Sequence, residues 1–253
     1  MYTLDDVKKV QQRLLEMAVA VRDVLENNNI PYFITYGTLL GAVRHKGFIP
    51  WDDDFDFYIL SEYYEDAMTC LRNELVGPYF LENAESEPLY FHAWAHIKDN
   101  NSIVECSQYP QDSLYTHKGI SIDLYKATKM KESCEQEFRI NEHIGYLKRK
   151  YDLGLLEEEE YKVKVLELEK KKNAIPSNFY ESDKYIYTFP STYNDRLYLD
   201  ELFPLARYEF DGTYFNGPKD AGVFLTRCYG NYMELPPLDK RVPHYSRVEF
   251  LNE

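Results

Sequence analysis

The sequence predicts an α+β fold: a small mixed β-sheet core flanked by helices, followed by a helical and loop-rich C-terminal part. Three observations carry this expectation. Apolar residues recur at helical spacing near the start of the chain. Several short segments between residues 32 and 125 alternate or run apolar, as strands do. From Lys131 to Lys172 the pattern turns charged and helical. The expected division is a core over residues 1–130 and a C-terminal part over 131–253, packed on the core as one compact unit.

The elements follow in order. Thr3 with Asp6 makes a helix N-cap with an acidic first turn. Val7, Val10, Leu14, Met17, Val21 and Val24 form the buried stripe, and Asn27-Asn28-Asn29 ends the helix. Tyr32 to Tyr36 predicts a strand, and Gly37 to Arg44 a turn into a short helix. His45 to Trp51 contains Gly47 and Pro50 and predicts a loop. Asp54 to Leu60 alternates and then becomes apolar, as a strand entering a core does. Ser61 is expected to cap a helix through about Leu75. Further strands are expected over Tyr90 to Lys98, Ser102 to Gln108 and Gly119 to Tyr125. The run Glu157 to Glu160 predicts a solvated helix start. From about Tyr185 the chain is rich in Tyr, Pro and Gly and predicts short elements and loops.

Composition sets limits on function. With 253 residues and 44% hydrophobic residues, the chain can bury a real core. A net charge of −14 argues against a general nucleic-acid binder, which needs a basic face. It leaves room for a nucleotide substrate, which needs only a local cation or a bound metal. Cys70, Cys106, Cys134 and Cys228 are scattered without CxxC spacing, so no zinc site of the usual kind is expected. The N-terminus does not resemble a signal peptide, and no apolar run approaches the ~20 residues of a membrane span. A soluble cytoplasmic protein is the expectation.

The chemistry concentrates in Trp51-Asp52-Asp53-Asp54-Phe55-Asp56-Phe57. In an extended strand, Asp54 and Asp56 share one face while Phe55 and Phe57 anchor the other. Two close carboxylates repel, so one must protonate or both must share a cation, and oxygen-only ligands favour Mg²⁺ or Mn²⁺. An exposed Asp-rich turn rarely leads directly into Phe-x-Phe-Tyr-Ile-Leu. The glycine expected inside a calcium loop is missing. Asp123 interrupts the apolar strand Gly119 to Tyr125 and needs a partner, either a structural Arg or Lys or the same metal. Asp52 shares the parity of Asp54 and Asp56 if the strand begins early, whereas Asp53 points the other way. Upstream, Gly37-Thr38 opens a helix, and amides there favour a phosphate. These residues point to phosphoryl transfer on a metal.

A glycine turn followed by two strand-borne acids and a third on a later strand resembles the nucleotidyltransferase superfamily, with Thr38 in place of the usual small residue. The whole run from Tyr36 to Asp56 resembles the signature of the LicD family. So do Gly119 to Leu124, Phe210-Asp211-Gly212 (with Asp for Glu), and Tyr229 to Pro237 followed by Arg241 and His244. The resemblance implies a nucleotidyltransferase-like core that moves a phospho-alcohol such as phosphocholine from a CDP-activated donor to a sugar hydroxyl, releasing CMP. The acceptor implied is a cell-surface glycan or lipid-linked sugar, of the lipopolysaccharide or teichoic acid kind. A lipid-linked acceptor would bring the enzyme to the inner membrane face.

On this view Asp54 and Asp56 bind one or two Mg²⁺ ions, with Asp52 as a ligand or a partner of the ligands. Asp123 completes the site and orients or deprotonates the acceptor hydroxyl. Arg44, His45 and Lys46 precede the acids and could hold phosphate oxygens, as could Lys98; a solvated loop and a structural ion pair are the plainer alternatives. Trp51 could stack on cytosine or cover a quaternary ammonium, or simply pack beneath its loop. Arg241 and His244 are donor-binding candidates on the resemblance alone. Two alternatives stay open: an ordinary nucleotidyltransferase that moves an NMP from an NTP, and an inactive glycan-binding domain.

Overall fold

The computed structural model describes residues 2–106, 113–175, 184–188 and 196–251. Gln108, the expected end of one strand, lies outside them.

Helix α1 spans Leu4–Asn27 and starts with a capping box: Thr3 and Asp6 satisfy each other's backbone amides. Its apolar stripe, from Val7 to Leu25, is buried against α3 and the sheet. β1 (Tyr32–Ile34) is shorter than expected because Tyr36 already opens α2 (Tyr36–His45). Tyr36 starts that helix with a left-handed φ of 44°, a strained conformation for a bulky residue. β2 (Asp56–Leu60) leads into α3 (Tyr64–Glu74). Ser61 does not cap α3. A short 3₁₀ turn, Ser61–Tyr63, intervenes, and the Ser61 hydroxyl donates to Glu62 instead.

β3 (Tyr79–Glu82) was not expected, since its four residues carry too little alternation to stand out. β4 (Ala95–Asp99) is the second half of the strand expected from Tyr90, and β5 (Ser102–Cys106) follows it. β6 (Ser121–Lys131) is longer than the sequence suggested and passes through residue 130. The charged stretch forms α4 (Glu135–Asp152) and α5 (Glu158–Asn173) around a small core of Ile140, Leu147 and Leu168. Glu158 to Glu160 sit exposed in the first turn of α5, as a solvated helix start does. The C-terminal part adds β7 (Tyr185–Thr188), β8 (Leu197–Tyr198), α6 (Leu199–Leu202), β9 (Ala206–Phe210), β10 (Thr213–Gly217), α7 (Ala221–Tyr229) and β11 (Tyr245–Phe250).

The main sheet has the order β1-β2-β6-β4-β3, with β7 on the far half of β6 and β8 beside β7. β2 and β6 run parallel, and the other pairs are antiparallel. One face carries Phe57, Ile59, Ile97, Ile122 and Leu124, all fully buried. Each such side chain contributes roughly 2 kcal/mol of burial free energy. The C-terminal part contributes to the same core: Phe210 and Phe215 of the β9–β10 hairpin pack 5.3 and 5.0 Å from Phe55. The expected Phe210-Asp211-Gly212 element is the turn of that hairpin. Its Asp211 amide donates to Lys46 O (2.7 Å), and its carboxylate accepts from the Phe48 amide (3.3 Å), which fixes the loop leading to the acids.

Candidate active site

The other sheet face is polar, and strand pairing arranges it in rungs. Asp56 stands opposite Asp123, Asp123 opposite His96, and His96 opposite Glu82. Alternation along each strand puts these four side chains on one face. His96 Nε2 lies 3.3 Å from Asp123 Oδ1, and its Nδ1 lies 3.3 Å from Glu82 Oε2. The Tyr125 hydroxyl donates to Asp123 Oδ2 (3.0 Å), and His96 Nε2 stands beside Oδ1. The Asp56 amide donates to Thr38 Oγ1 (3.0 Å), which fixes the start of β2 against α2.

Above this acid rung, Asp52, Asp53 and Asp54 form the loop entering β2. The loop is held from behind, where Gln11 Nε2 donates to the carbonyls of Ile49 (3.0 Å) and Asp52 (2.7 Å). Asp53 is fully buried and accepts four hydrogen bonds: from the Tyr2 hydroxyl, the His244 amide, His244 Nδ1 and the Tyr245 amide. It thereby ties β11 to the acidic loop and brings His244 over the carboxylates. His244 Nδ1 stands 3.5 Å from Asp54 Oδ2 and 4.0 Å from Asp52 Oδ1. One ligand atom from each of Asp52, Asp54 and His244 falls within 4.8 Å of the others.

The electrostatics follow from this crowding. Burial, and then the Asp54 charge, holds the Asp52 carboxyl well above the usual range. Burial also raises Asp54, although the nearby His244 opposes that rise. Asp56 is pushed well up by burial and then by Asp54, Asp123 and Asp52. His244 is pushed up to about 10, first by its hydrogen bond to Asp53. Like charges gathered on a concave surface must take up protons or share a cation. Carboxylate oxygens of this kind fit Mg²⁺ or Mn²⁺.

These groups line a cavity of about 1450 Å³ that also contains Gly37, Arg44, Trp51 and Lys98 among the sequence-derived candidates. Gly37 serves the acids directly, since a Cβ there would lie 2.9 Å from Asp52 Oδ2. Arg44 donates to the carbonyls of Tyr232 (2.7 Å) and Glu234 (3.3 Å), and its Nε donates to His45 Nε2 (2.9 Å). Lys98 is buried 3.9 Å from Glu82. Arg241 lies over the Trp51 ring at 5.1 Å, so one face of Trp51 already holds the chain's own cation. Thr38, His45, Lys46 and Arg241 do not line the cavity. Lys46 occupies the left-handed C-cap of α2 and turns the chain toward Gly47.

Sequence reasoning missed Asp53, His96, Glu82, Trp94 and Tyr125 as site residues. Asp53 has the wrong strand parity, and Glu82 lies in an unexpected strand. The alternation Trp94-Ala95-His96-Ile97-Lys98 was the one available signal, with polar and aromatic residues on one face and apolar residues on the other.

Residues 29–133 match the family model described as LicD/FKTN/FKRP, nucleotidyltransferase domain. The chain is 26% identical to the lipopolysaccharide cholinephosphotransferase LicD of Haemophilus influenzae, over 89% of this chain and 91% of that protein. It is 30% identical to an uncharacterized protein of Rickettsia typhi, over 94% of this chain but only 50% of the relative. A segment covering 22% of this chain is 46% identical to human ribitol 5-phosphate transferase FKRP, of which it covers 11%. Among the described residues no helix is long and apolar enough to cross a membrane.

Proposed function

From the premise that residues 29–133 are a LicD/FKTN/FKRP nucleotidyltransferase domain, we propose that the chain is a metal-dependent phosphotransferase. It transfers a phospho-alcohol from a CDP-activated donor to a hydroxyl of a cell-surface glycan or its lipid-linked precursor, and it releases CMP. The observation that carries this is the convergence of Asp52, Asp54, Asp56 and Asp123 on one cavity, where His244 offsets only part of the repulsion that holds Asp52 and Asp56 well above the usual carboxylate range. The likeness to a cholinephosphotransferase over nearly all of both chains supports the choice of donor.

Asp52, Asp54 and Asp56 would hold Mg²⁺ or Mn²⁺, which when bound neutralises charge on the donor's pyrophosphate. The chain's own residues do the rest. Asp123, oriented by the Tyr125 hydroxyl, accepts the proton of the acceptor hydroxyl. The hydroxyl oxygen bonds to the phosphorus bearing the alcohol, and the bond from that phosphorus to the bridging oxygen breaks. CMP departs with the electron pair, and a phosphodiester remains on the acceptor. Arg44 and Lys98, at the cavity wall, stabilise the departing phosphate.

The test is to incubate the protein with Mg²⁺, a glycan acceptor extract, and a panel of CDP-alcohols and NTPs, and to follow nucleotide release. CMP release from a CDP-alcohol, lost with EDTA and reduced ~10³-fold in Asp54→Ala, is the expected result. Pyrophosphate release from an NTP, with the NMP left on the acceptor, would replace this proposal with ordinary nucleotidyl transfer.

A further inference from the structure

Exposed apolar side chains collect at one edge of the cavity. Tyr229, Met233, Leu235, Leu238 and Val242 all stand open to water, Leu238 the most at 79%. Single exposed apolar residues are ordinary, whereas a cluster marks a contact. Tyr229 and Leu235 also line the cavity, together with Tyr232, Pro236 and Pro237, so this stretch forms the rim of the cavity mouth. Met233, Leu238 and Val242 lie outside the cavity lining.

Much of the rim's backbone is satisfied from within the protein. Arg44 donates to the carbonyls of Tyr232 and Glu234, and Arg241 Nε donates to that of Pro236 (2.9 Å). The amides of Tyr232, Glu234, Lys240 and Arg241 donate to the carbonyls of Gly230, Asn231, Pro237 and Leu238. Pro236, Pro237 and Pro243 have no amide proton to satisfy. A loop that stays in water does not need such closure. A loop that meets hydrocarbon does, because nothing there can take up a free backbone group.

We propose that this rim seats the protein on the surface of a lipid bilayer, with Met233, Leu238 and Val242 entering the boundary between headgroups and acyl chains and the cavity mouth opening towards the membrane. The choice of a bilayer rests on the lipid-linked acceptor of the reading above, whose sugar reaches Asp123 when the mouth lies close to the lipid anchor. Two features favour lipid over a protein partner. The apolar patch is of the few-hundred-Å² kind, short of the about 800 Å² that each partner gives to a stable protein interface. In the rim, Lys240 and Arg241 balance Glu234 and Asp239, so it is electrically neutral in a chain of net charge −14. It is therefore a face that an anionic bilayer repels little, and apolar burial drives its association.

The test is flotation of the full chain with vesicles of phosphatidylcholine and phosphatidylglycerol, with neither donor nor acceptor present. Wild type should float with the vesicles and stay bound in high salt, because apolar burial is not screened. The triple variant Met233→Ser/Leu238→Ser/Val242→Ser should lose about 10-fold or more in partition coefficient, while its melting temperature and Mg²⁺-dependent nucleotide binding stay those of wild type. That result supports the inference whether or not a CDP-alcohol proves to be the donor. Wild type that does not float overturns the inference and leaves the donor reading intact. Binding that survives the triple variant overturns it as well, since another surface would then hold the membrane. So does binding that vanishes in high salt, which bare charge would explain. If the triple variant does not fold, Leu238→Ser and Leu238→Asp decide the matter, with the aspartate expected to lose more binding than the serine.

Discussion

On β2 and β6, residues one step apart answer to opposite demands. Phe57 and Leu124 point into a core where nothing polar intrudes, and their neighbours Asp56 and Asp123 point into a cavity where like charges crowd together. The same backbone hydrogen bonds serve both faces. The apolar face supplies the stability that allows the polar face to be held in an unfavourable arrangement. The lesson is that the strength of this site depends on the rigidity of the face behind it, and the two faces should respond to mutation in opposite ways.

The largest expected separation is in turnover. Asp123→Asn should lower the rate of CMP release by ~10²–10⁴-fold, because the proton acceptor is lost, while the thermal midpoint stays at or above wild type. A large fall in stability instead would mean that Asp123 belongs to the scaffold. Phe57→Ala should show the reverse, with ~3–5 kcal/mol lost in denaturant titrations from the cavity it leaves. Folded molecules of that variant should keep Mg²⁺-dependent nucleotide binding. Asp56→Asn removes one of several mutually repelling half-buried carboxylates. In EDTA it should stabilise the protein by ~1–2 kcal/mol while abolishing turnover, and a destabilised variant would show that the acids are not strained.

The smallest effect concerns pH. His244 has a folded pKa of about 10, above its unfolded value. Its contribution is therefore complete below about pH 6.5 and is lost as pH rises through about 10. In EDTA, the melting temperature of wild type should fall by roughly 2–5 °C between pH 7 and 10.5 relative to His244→Gln. Parallel curves for the two proteins would remove His244 from the acidic cluster.

Much of the core was legible because periodicity records burial. The α1 stripe, the Phe55/Phe57 anchor and the charged α4–α5 pair all follow from which residues must avoid water. Short elements were not legible. β3 has four residues, and Ser61 offered a capping hydroxyl that the 3₁₀ turn made unnecessary. Arg241, grouped with the donor-binding cations by resemblance, lies over the ring of cavity-lining Trp51, a placement that only the folded loops determine.

By itself, the sequence determined that Asp56 stands on a strand whose other side is aromatic core and that Asp123 interrupts a second such strand, whereas Asp54, expected on the first strand, lies in the loop that enters it. These are local facts, set by the two-residue period of an extended chain. The tertiary structure alone decided that Asp53 would be the buried acceptor joining β11 to the acidic loop, and that His96 and Glu82 would extend the acid rung. Each of those outcomes depends on strand register between segments far apart in the chain, and register is chosen by the packing of the whole sheet, which no single segment encodes.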